Sequence, residues 1–138
     1  MDKNGLIYDL VTSIRCLGID FRAVDHLDTV AVINPSKQQG AYDINTATPF
    51  DIAHELFHAL HHDVHRLAAN DVRNPQERDA NAAATKYLWN LYLNNGGTEE
   101  YIQHFVDVSG VPAYRIERLL LDDSSLNGVL FSNTNVIY

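Results

Sequence analysis

The order of hydrophobic and polar residues along this chain predicts helices over most of its length and strands in one region. Leucine, valine and isoleucine recur every three or four positions over residues 5–17, which predicts a first helix that Gly18 ends. Residues 28–34 are rich in β-branched side chains and stop at a proline, which predicts a strand. Residues 39–44 are expected to pair with this strand as a hairpin, with residues 35–37 in the turn.

Helices make up the remaining predicted elements. They are expected at about 50–65, 76–93, 98–108 and 111–122, with a loop at 70–75. Thr48 is the expected N-cap of the 50–65 helix, and Asp51 completes an acidic variant of the capping box. An Asn-Asn-Gly-Gly run stops the 76–93 helix. This order of elements predicts a compact, mostly helical α+β domain with a small antiparallel sheet before the 50–65 helix.

Composition and charge narrow the classes of function. With 138 residues, of which 46% are hydrophobic and 20% charged, the chain suits one soluble domain covering residues 1–138. Its net charge of −8 and its lack of a basic stripe argue against direct nucleic-acid binding. No run approaches the roughly 20 apolar residues of a membrane span, and no signal-peptide pattern opens the sequence. We therefore expect a cytoplasmic protein with neither membrane nor nucleic acid as a direct partner.

The single cysteine, Cys16, excludes an internal disulfide and any zinc site built from several thiolates. Because Cys16 lies in the apolar run of the first predicted helix, it is expected to be a small buried hydrophobe. A catalytic thiol is the minor alternative, because nothing in the sequence places a base beside it.

Residues 54–58 read His-Glu-Leu-Phe-His, an H-E-x-x-H motif. His54 and His58 are four residues apart and so share one face of the predicted helix. Both imidazoles can then reach one metal ion, with Glu55 beside them as general base for a water molecule, as in zinc hydrolases. The competing interpretation is a His-rich surface helix, because five of the seven histidines fall within residues 54–65.

A catalytic zinc ion usually has three protein ligands, so this motif needs one more. Geometry argues against His61, which lies ~10.5 Å from His54 along a helix axis whereas Zn–N bonds are ~2.1 Å. Glu77 and Asp79, at the start of the 76–93 helix, are the candidate third ligands. Acidic residues are also favoured at helix N-termini without any metal, so these residues alone leave the choice open.

The run HELFHALHH, followed after a loop by ERDANAAATKYL, resembles the ImmA/IrrE family of small metallopeptidases. In that family an AHELGH-type helix precedes a helix with an E-x-x-A-N motif. Residues 52–56 match the first motif, and Glu77, Ala80 and Asn81 match the second. The upstream Val-Ile-Asn-Pro run also resembles the family's strand, and the likeness covers about residues 28–90.

This resemblance implies a zincin-like fold with one Zn²⁺ held by His54, His58 and Glu77, and with Asp79 as the fallback third ligand. Glu55 is then the catalytic base. The resemblance further implies a regulatory zinc endopeptidase of the cytoplasm, encoded by phages or mobile elements, whose substrate is a DNA-binding repressor protein.

Two other functions compete with this one. Phe57 stands where the family has glycine, which either changes packing on that side of the helix or shapes a pocket. This departure favours a non-catalytic regulator that keeps the fold and inactivates a repressor by binding. The second alternative is a metal-free helical interaction domain with accidental histidines.

Further polar residues near the motif are weaker candidates. Tyr42 lies in the 39–44 segment, an expected edge strand with which an extended peptide could pair. His61 and His62 are expected on a solvated face, with orientation of substrate or stabilisation of an oxyanion as the functional alternative. Tyr87 is expected in the core.

Overall fold

Five α-helices and a three-stranded sheet make up the part of the chain that this computed structural model describes, residues 2–60 and 75–130. In chain order they are α1 (Lys3–Cys16), β1 (Asp20–Val24), β2 (Ala31–Asn34), β3 (Gln39–Asp43), α2 (Pro49–Leu60), α3 (Pro75–Asn94), a 3-10 turn (Glu99–Tyr101), α4 (Ile102–Ser109) and α5 (Ala113–Leu130). The predicted α+β class is confirmed. No described helix has the length and apolar character needed to cross a membrane.

The helices begin and end close to their predicted positions, with two exceptions. The predicted 98–108 helix opens with a 3-10 turn over Glu99–Tyr101, and its α-helical part, α4, starts at Ile102. α5 continues to Leu130, beyond the predicted end at residue 122, because serine and asparagine do not by themselves terminate a helix. The predicted continuation of α2 to residue 65 lies outside the described residues, as does most of the predicted loop at 70–75. Pro75, the last residue of that loop prediction, is instead the first residue of α3.

The three strands form a mixed sheet in the order β1-β3-β2. The predicted hairpin is confirmed, since β2 pairs antiparallel with β3, from Ala31 opposite Tyr42 to Asn34 opposite Gln39. The prediction of a purely antiparallel sheet is wrong, because β1 pairs with β3 in parallel. β1 escaped prediction because it buries only Phe21 fully, and a short strand with one buried residue gives no clear alternation.

The start of α2 is fixed by a reciprocal capping box, as predicted. The backbone N–H of Asp51 donates to Thr48 Oγ1 at 3.2 Å, and the N–H of Thr48 donates to an Asp51 carboxylate oxygen at 2.9 Å. Gly110, in the left-handed region at φ 79°, follows α4 and lies directly against this cap. A Cβ atom at Gly110 would stand 2.5 Å from Thr48 Cβ, so only glycine fits there.

The core lies where α1, α2 and α3 meet one another and the sheet, and it continues under α4 and α5. Three of its aromatic members, Trp89, Tyr92 and Phe105, pack with ring centroids 5.0–5.8 Å apart. Cys16 is exposed, so the prediction that it is buried is wrong. Cys16 follows the buried Ile14 by two residues, which places it about 200° around the helix from that side chain.

Candidate metal centre

The helix α2 that carries the motif is buried along most of its surface. Ile52, Ala53, Leu56 and Ala59 are each at most 6% exposed, while Leu60 is 43% exposed. His54 and His58 do not face open solvent, because α2 packs against α1, β2 and α3. His58 is 1% exposed, which argues against the interpretation of a His-rich surface helix.

The N-terminal turns of α3 supply the acidic partner of the two histidines. α3 carries Ala80 and Ala84, both fully buried, and such small side chains allow neighbouring helices to approach closely. Glu77 is 5% exposed, whereas Asp79 is exposed. Two residues differ by about 200° around a helix, so the packing that buries Glu77 turns Asp79 toward solvent.

Three donor groups from α2 and α3 converge on one point. His54 Nε2 lies 2.9 Å from Glu77 Oε1, and His58 Nε2 lies 2.9 Å from Glu77 Oε2. The two Nε2 atoms are 3.0 Å apart. The side chains of His54, His58 and Glu77 are 16%, 2% and 6% exposed, respectively. The structure thus brings together the three residues predicted as ligands, in a group that could hold a metal ion.

The hydrogen bond at His54 Nδ1, the ring nitrogen that faces away from Glu77, indicates that a cation is needed between His54 and Glu77. His54 Nδ1 lies 2.6 Å from Asn81 Oδ1, and an amide oxygen only accepts, so Nδ1 carries a proton. In a neutral imidazole Nε2 then has a lone pair, which points at a carboxylate oxygen of Glu77. Two acceptors at this distance repel unless a cation, either a proton on the ring or a metal ion, lies between them.

The chemistry and spacing of these groups fit zinc. Two imidazoles and one carboxylate form a common protein donor set of catalytic zinc sites. Donor atoms about 2.0–2.1 Å from a tetrahedral zinc ion lie roughly 3.3 Å from one another. The observed separations of 2.9–3.0 Å need to widen by only about 0.3–0.4 Å, which rotation of three side chains provides.

Glu55, the predicted general base, is also buried, at 5% exposed. It precedes Leu56 on α2 but reaches across to the sheet, where its Oε1 accepts a hydrogen bond from the backbone N–H of Ile33 at 3.2 Å. This bond fixes the orientation of the Glu55 carboxylate beside β2, the edge strand of the sheet. Glu55 directly follows His54, a predicted metal ligand.

The remaining sequence candidates lie elsewhere. Asp79 is exposed and outside the convergent group. Tyr42 is half-buried and stacks on Phe21 with ring centroids 5.3 Å apart. Its strand β3 is central, so the prediction that it forms an edge is wrong. Both sides of β3 are already paired, which leaves no place for an extended peptide. His61 and His62 lie outside the described residues.

The large ring of Phe57 packs against Tyr87, edge to face, with centroids 5.8 Å apart. Tyr87 lies at the edge of the core, and its hydroxyl donates to Asp9 Oδ1 at 2.7 Å. Burial raises the pKa of Tyr87, and the adjacent Asp9 carboxylate adds to that rise. The Phe57 ring thus takes part in the packing of α2 against α3.

Two groups at the site have no predicted role from the sequence. Asn81 matches the E-x-x-A-N motif, and because it follows Glu77 by four residues it shares the same helix face, a spacing that could have revealed its place at the site. The Ile33 amide leaves no such signal, because any backbone N–H can donate a hydrogen bond and only the packing of β2 on α2 selects this one.

Comparison of this chain with protein-family models, with curated proteins and with solved structures finds no match. The likeness to the ImmA/IrrE family therefore stays a prediction.

Proposed function

We propose that this protein is a zinc-dependent endopeptidase with a zincin-like active site. The observation that carries the proposal is the convergence of His54, His58 and Glu77, with the Glu55 carboxylate on the same helix as both histidines. Two imidazoles from one helical turn and a carboxylate from a second helix match a three-ligand catalytic zinc site. When bound, zinc acts as a Lewis acid toward a carbonyl oxygen and lowers the pKa of water to about 7.

Glu55 carries the proton transfers of the proposed reaction. Its carboxylate accepts a proton from the attacking water as the water oxygen bonds to the peptide carbonyl carbon. It then donates that proton to the nitrogen as the C–N bond breaks, so water is consumed and an acid and an amine are formed. The Ile33 N–H contributes by holding one carboxylate oxygen, which limits the orientations that Glu55 samples.

The position of β2 favours an extended peptide as substrate. β2 is an edge strand of the sheet. The N–H of Asp43 in β3 donates to the carbonyl oxygen of Val30 at 2.9 Å, so the even-numbered residues of this segment direct their N–H and C=O groups toward β3. The odd-numbered residues Ala31 and Ile33 therefore direct their N–H and C=O groups to the outer edge, where the Ile33 N–H donates to Glu55. A peptide that pairs with Ala31 along this edge would pass the general base, while the Ile33 N–H keeps its bond to Glu55. β2 thus has the role of peptide-pairing edge strand that was predicted for the strand containing Tyr42.

The proposed physiological substrate is a cytoplasmic DNA-binding repressor of a phage or mobile element, as the family resemblance implies. Electrostatics supports this class of partner, because a chain of net charge −8 attracts a basic DNA-binding protein. The attraction should weaken as salt screens it.

The binding-only alternative was motivated by Phe57. Its ring is accommodated against Tyr87, so the contact gives no reason to expect a disabled site. A regulator that only binds would not need the Glu55 carboxylate, and this difference separates the two functions.

The test is to co-express the chain with the repressor encoded beside its gene and to search for repressor fragments by mass spectrometry. We expect fragments from the wild type and from Glu100→Gln, a matched change at an exposed residue. We expect none from Glu55→Gln, although it should bind zinc as the wild type does. Repressor inactivation that survives Glu55→Gln would establish the binding-only function. The proposed peptidase acts on one or a few proteins and is nearly inert on generic substrates, so rapid digestion of casein would contradict this selectivity.

A further inference from the structure

Asn81 contacts the site from the side opposite to the metal position. Its Oδ1 lies 2.6 Å from His54 Nδ1, while the other ring nitrogen, Nε2, lies 2.9 Å from Glu77 Oε1. Glu77 and Asn81 are one helical turn apart on α3, so a single turn contacts both nitrogens of the same imidazole. Both ring nitrogens of His54, a residue of α2, are therefore contacted by side chains of α3.

The protonation pattern of His54 decides whether it can bind a metal ion. A neutral imidazole carries one proton, and Nε2 offers a lone pair only when that proton is on Nδ1. An acceptor at Nδ1 favours this tautomer and prevents rotation of the ring. At 2.6 Å the Asn81 oxygen is such an acceptor.

We propose that Asn81 is a positioning residue that fixes the metal-binding tautomer of His54 and so sets the zinc affinity of the site. This inference rests on the proposed zinc site and adds a residue to it. Asn81 does not touch the substrate or the reacting atoms in this proposal. It acts through His54 alone, since its oxygen faces the ring nitrogen that the metal does not use.

The surroundings of Asn81 suit this role. The buried Thr85 hydroxyl donates to the backbone oxygen of Asn81 at 2.8 Å, which adds a contact to this turn of α3. A neutral amide also supplies an acceptor without adding charge, in a site where Glu77 already contributes a buried carboxylate.

The first experiment measures zinc affinity by competition with a chromogenic chelator. Removing the hydrogen-bond partner of a metal-bound histidine costs roughly 10–100-fold in affinity, and we expect this loss for Asn81→Leu and for the shorter Asn81→Ser. Asn81→Asp keeps an acceptor oxygen and should stay within a few fold of the wild type. Asn90→Leu, at an exposed position of the same helix, is the control and should change nothing.

The second experiment reads the tautomer directly, through long-range ¹H–¹⁵N correlation spectra of the histidine rings in zinc-loaded protein. We expect a His54 Nδ1 proton protected from solvent exchange in the wild type and in Asn81→Asp. That protection should be lost in Asn81→Leu and Asn81→Ser, while the signals of His58 stay unchanged. If Asn81 only stabilised the fold, its substitution would not change the signals of His54 while leaving those of His58 unchanged.

The outcomes separate this inference from the function on which it rests. If wild-type protein binds no zinc, the proposed peptidase and this inference both fail. If the wild type binds zinc and Asn81→Leu binds it equally with His54 Nδ1 still protected, only the role of Asn81 is overturned. Circular dichroism of the metal-free variants confirms that each is folded, and Asn81→Ser replaces Asn81→Leu if leucine prevents folding.

Discussion

At the scale of single residues, the phase of a helix separates two acids that the sequence left as alternatives. Glu77 and Asp79 both lie near the start of α3, yet Glu77 is buried against His54 and His58 while Asp79 is exposed. A carboxylate that already meets two imidazoles at 2.9 Å needs little reorganisation to bind a metal ion. The exposed carboxylate of Asp79 would have to lose its solvent contacts, and it lies about 200° around the helix from the face that carries Glu77.

Glu77→Ala should therefore lose zinc, whereas Asp79→Ala should keep it. We expect about one zinc ion per chain in the wild type, since a catalytic site has three protein ligands. His54→Ala and His58→Ala should lose the metal as Glu77→Ala does, and His26→Ala, at an exposed histidine, is the control. Elemental analysis of protein purified without a histidine tag gives the stoichiometry. Zinc loss in Asp79→Ala with retention in Glu77→Ala would reverse the two roles.

At the scale of elements, the orientation of α2 depends on how it begins. The Thr48–Asp51 capping box satisfies backbone N–H groups at the start of the helix, and Gly110 packs against Thr48. His54 and His58 come one to two turns later on the same helix, so an intact first turn fixes their direction.

Thr48→Ala should lower the free energy of unfolding by about 1 kcal/mol, the usual cost of losing an N-cap side chain. Thr98→Ala is the matched control, because Thr98 precedes the 3-10 turn at an N-cap position and makes no side-chain capping bond. Urea denaturation of the metal-free proteins measures both. An equal loss in the two variants would show that the capping bond of Thr48 contributes nothing specific.

The loop that joins β3 to α2 depends on the buried carboxylate of Asp43. It accepts the N–H of Asn45 at 2.8 Å and the N–H of Leu27 at 3.1 Å. The bond from Asn45 is the main reason why the pKa of Asp43 is lowered, and burial opposes it. A carboxyl group whose pKa is lower in the folded state stabilises the protein above its unfolded pKa of about 3.9. That stabilisation is lost as the pH falls through the folded pKa.

Asp43→Asn should therefore be less stable than the wild type at pH 7. This difference should shrink as the pH falls below about 4 and approaches the lowered pKa of Asp43, where the folded protein also takes up the proton. Asp28→Asn, an exposed change in the segment between β1 and β2, serves as control and should show little difference at either pH. The measurement is the free energy of unfolding in urea at pH 7 and at a pH below about 4. A difference that stays constant with pH would contradict a role for the charge.

At the scale of the whole molecule, the candidate metal centre joins parts of the chain that are far apart in sequence. His54 and Glu77 are 23 residues apart, and residues 61–74 between α2 and α3 lie outside the described part. A metal ion held by both helices binds the folded state and has no formed site in the unfolded chain. Binding then adds directly to the stability of the fold.

Zinc should accordingly raise the melting temperature of the protein. At a free zinc concentration 100 times the dissociation constant the gain is about 2.7 kcal/mol, which corresponds to a shift on the order of 10 °C for a domain of this size. His58→Ala should show no shift under the same conditions. Differential scanning calorimetry with and without a chelator makes the measurement, and identical melting curves for the wild type would contradict a zinc site between α2 and α3.

The sequence by itself determined those features that depend on neighbours within a few residues. The limits of α1 and α3, the capping box of α2, and the shared face of His54 and His58 all follow from local periodicity and local hydrogen bonds. The β2–β3 hairpin belongs to this group, because a short turn sets its register.

Only the tertiary structure decided how these elements meet. The parallel pairing of β1 makes β3 central and leaves β2 as the edge nearer to α2. The packing of α3 on α2 places Glu77 and Asn81 around His54, and that of β2 on α2 places the Ile33 amide on Glu55. These contacts join residues 22–27 positions apart, and their geometry depends on the packing of whole elements, which local sequence patterns do not specify.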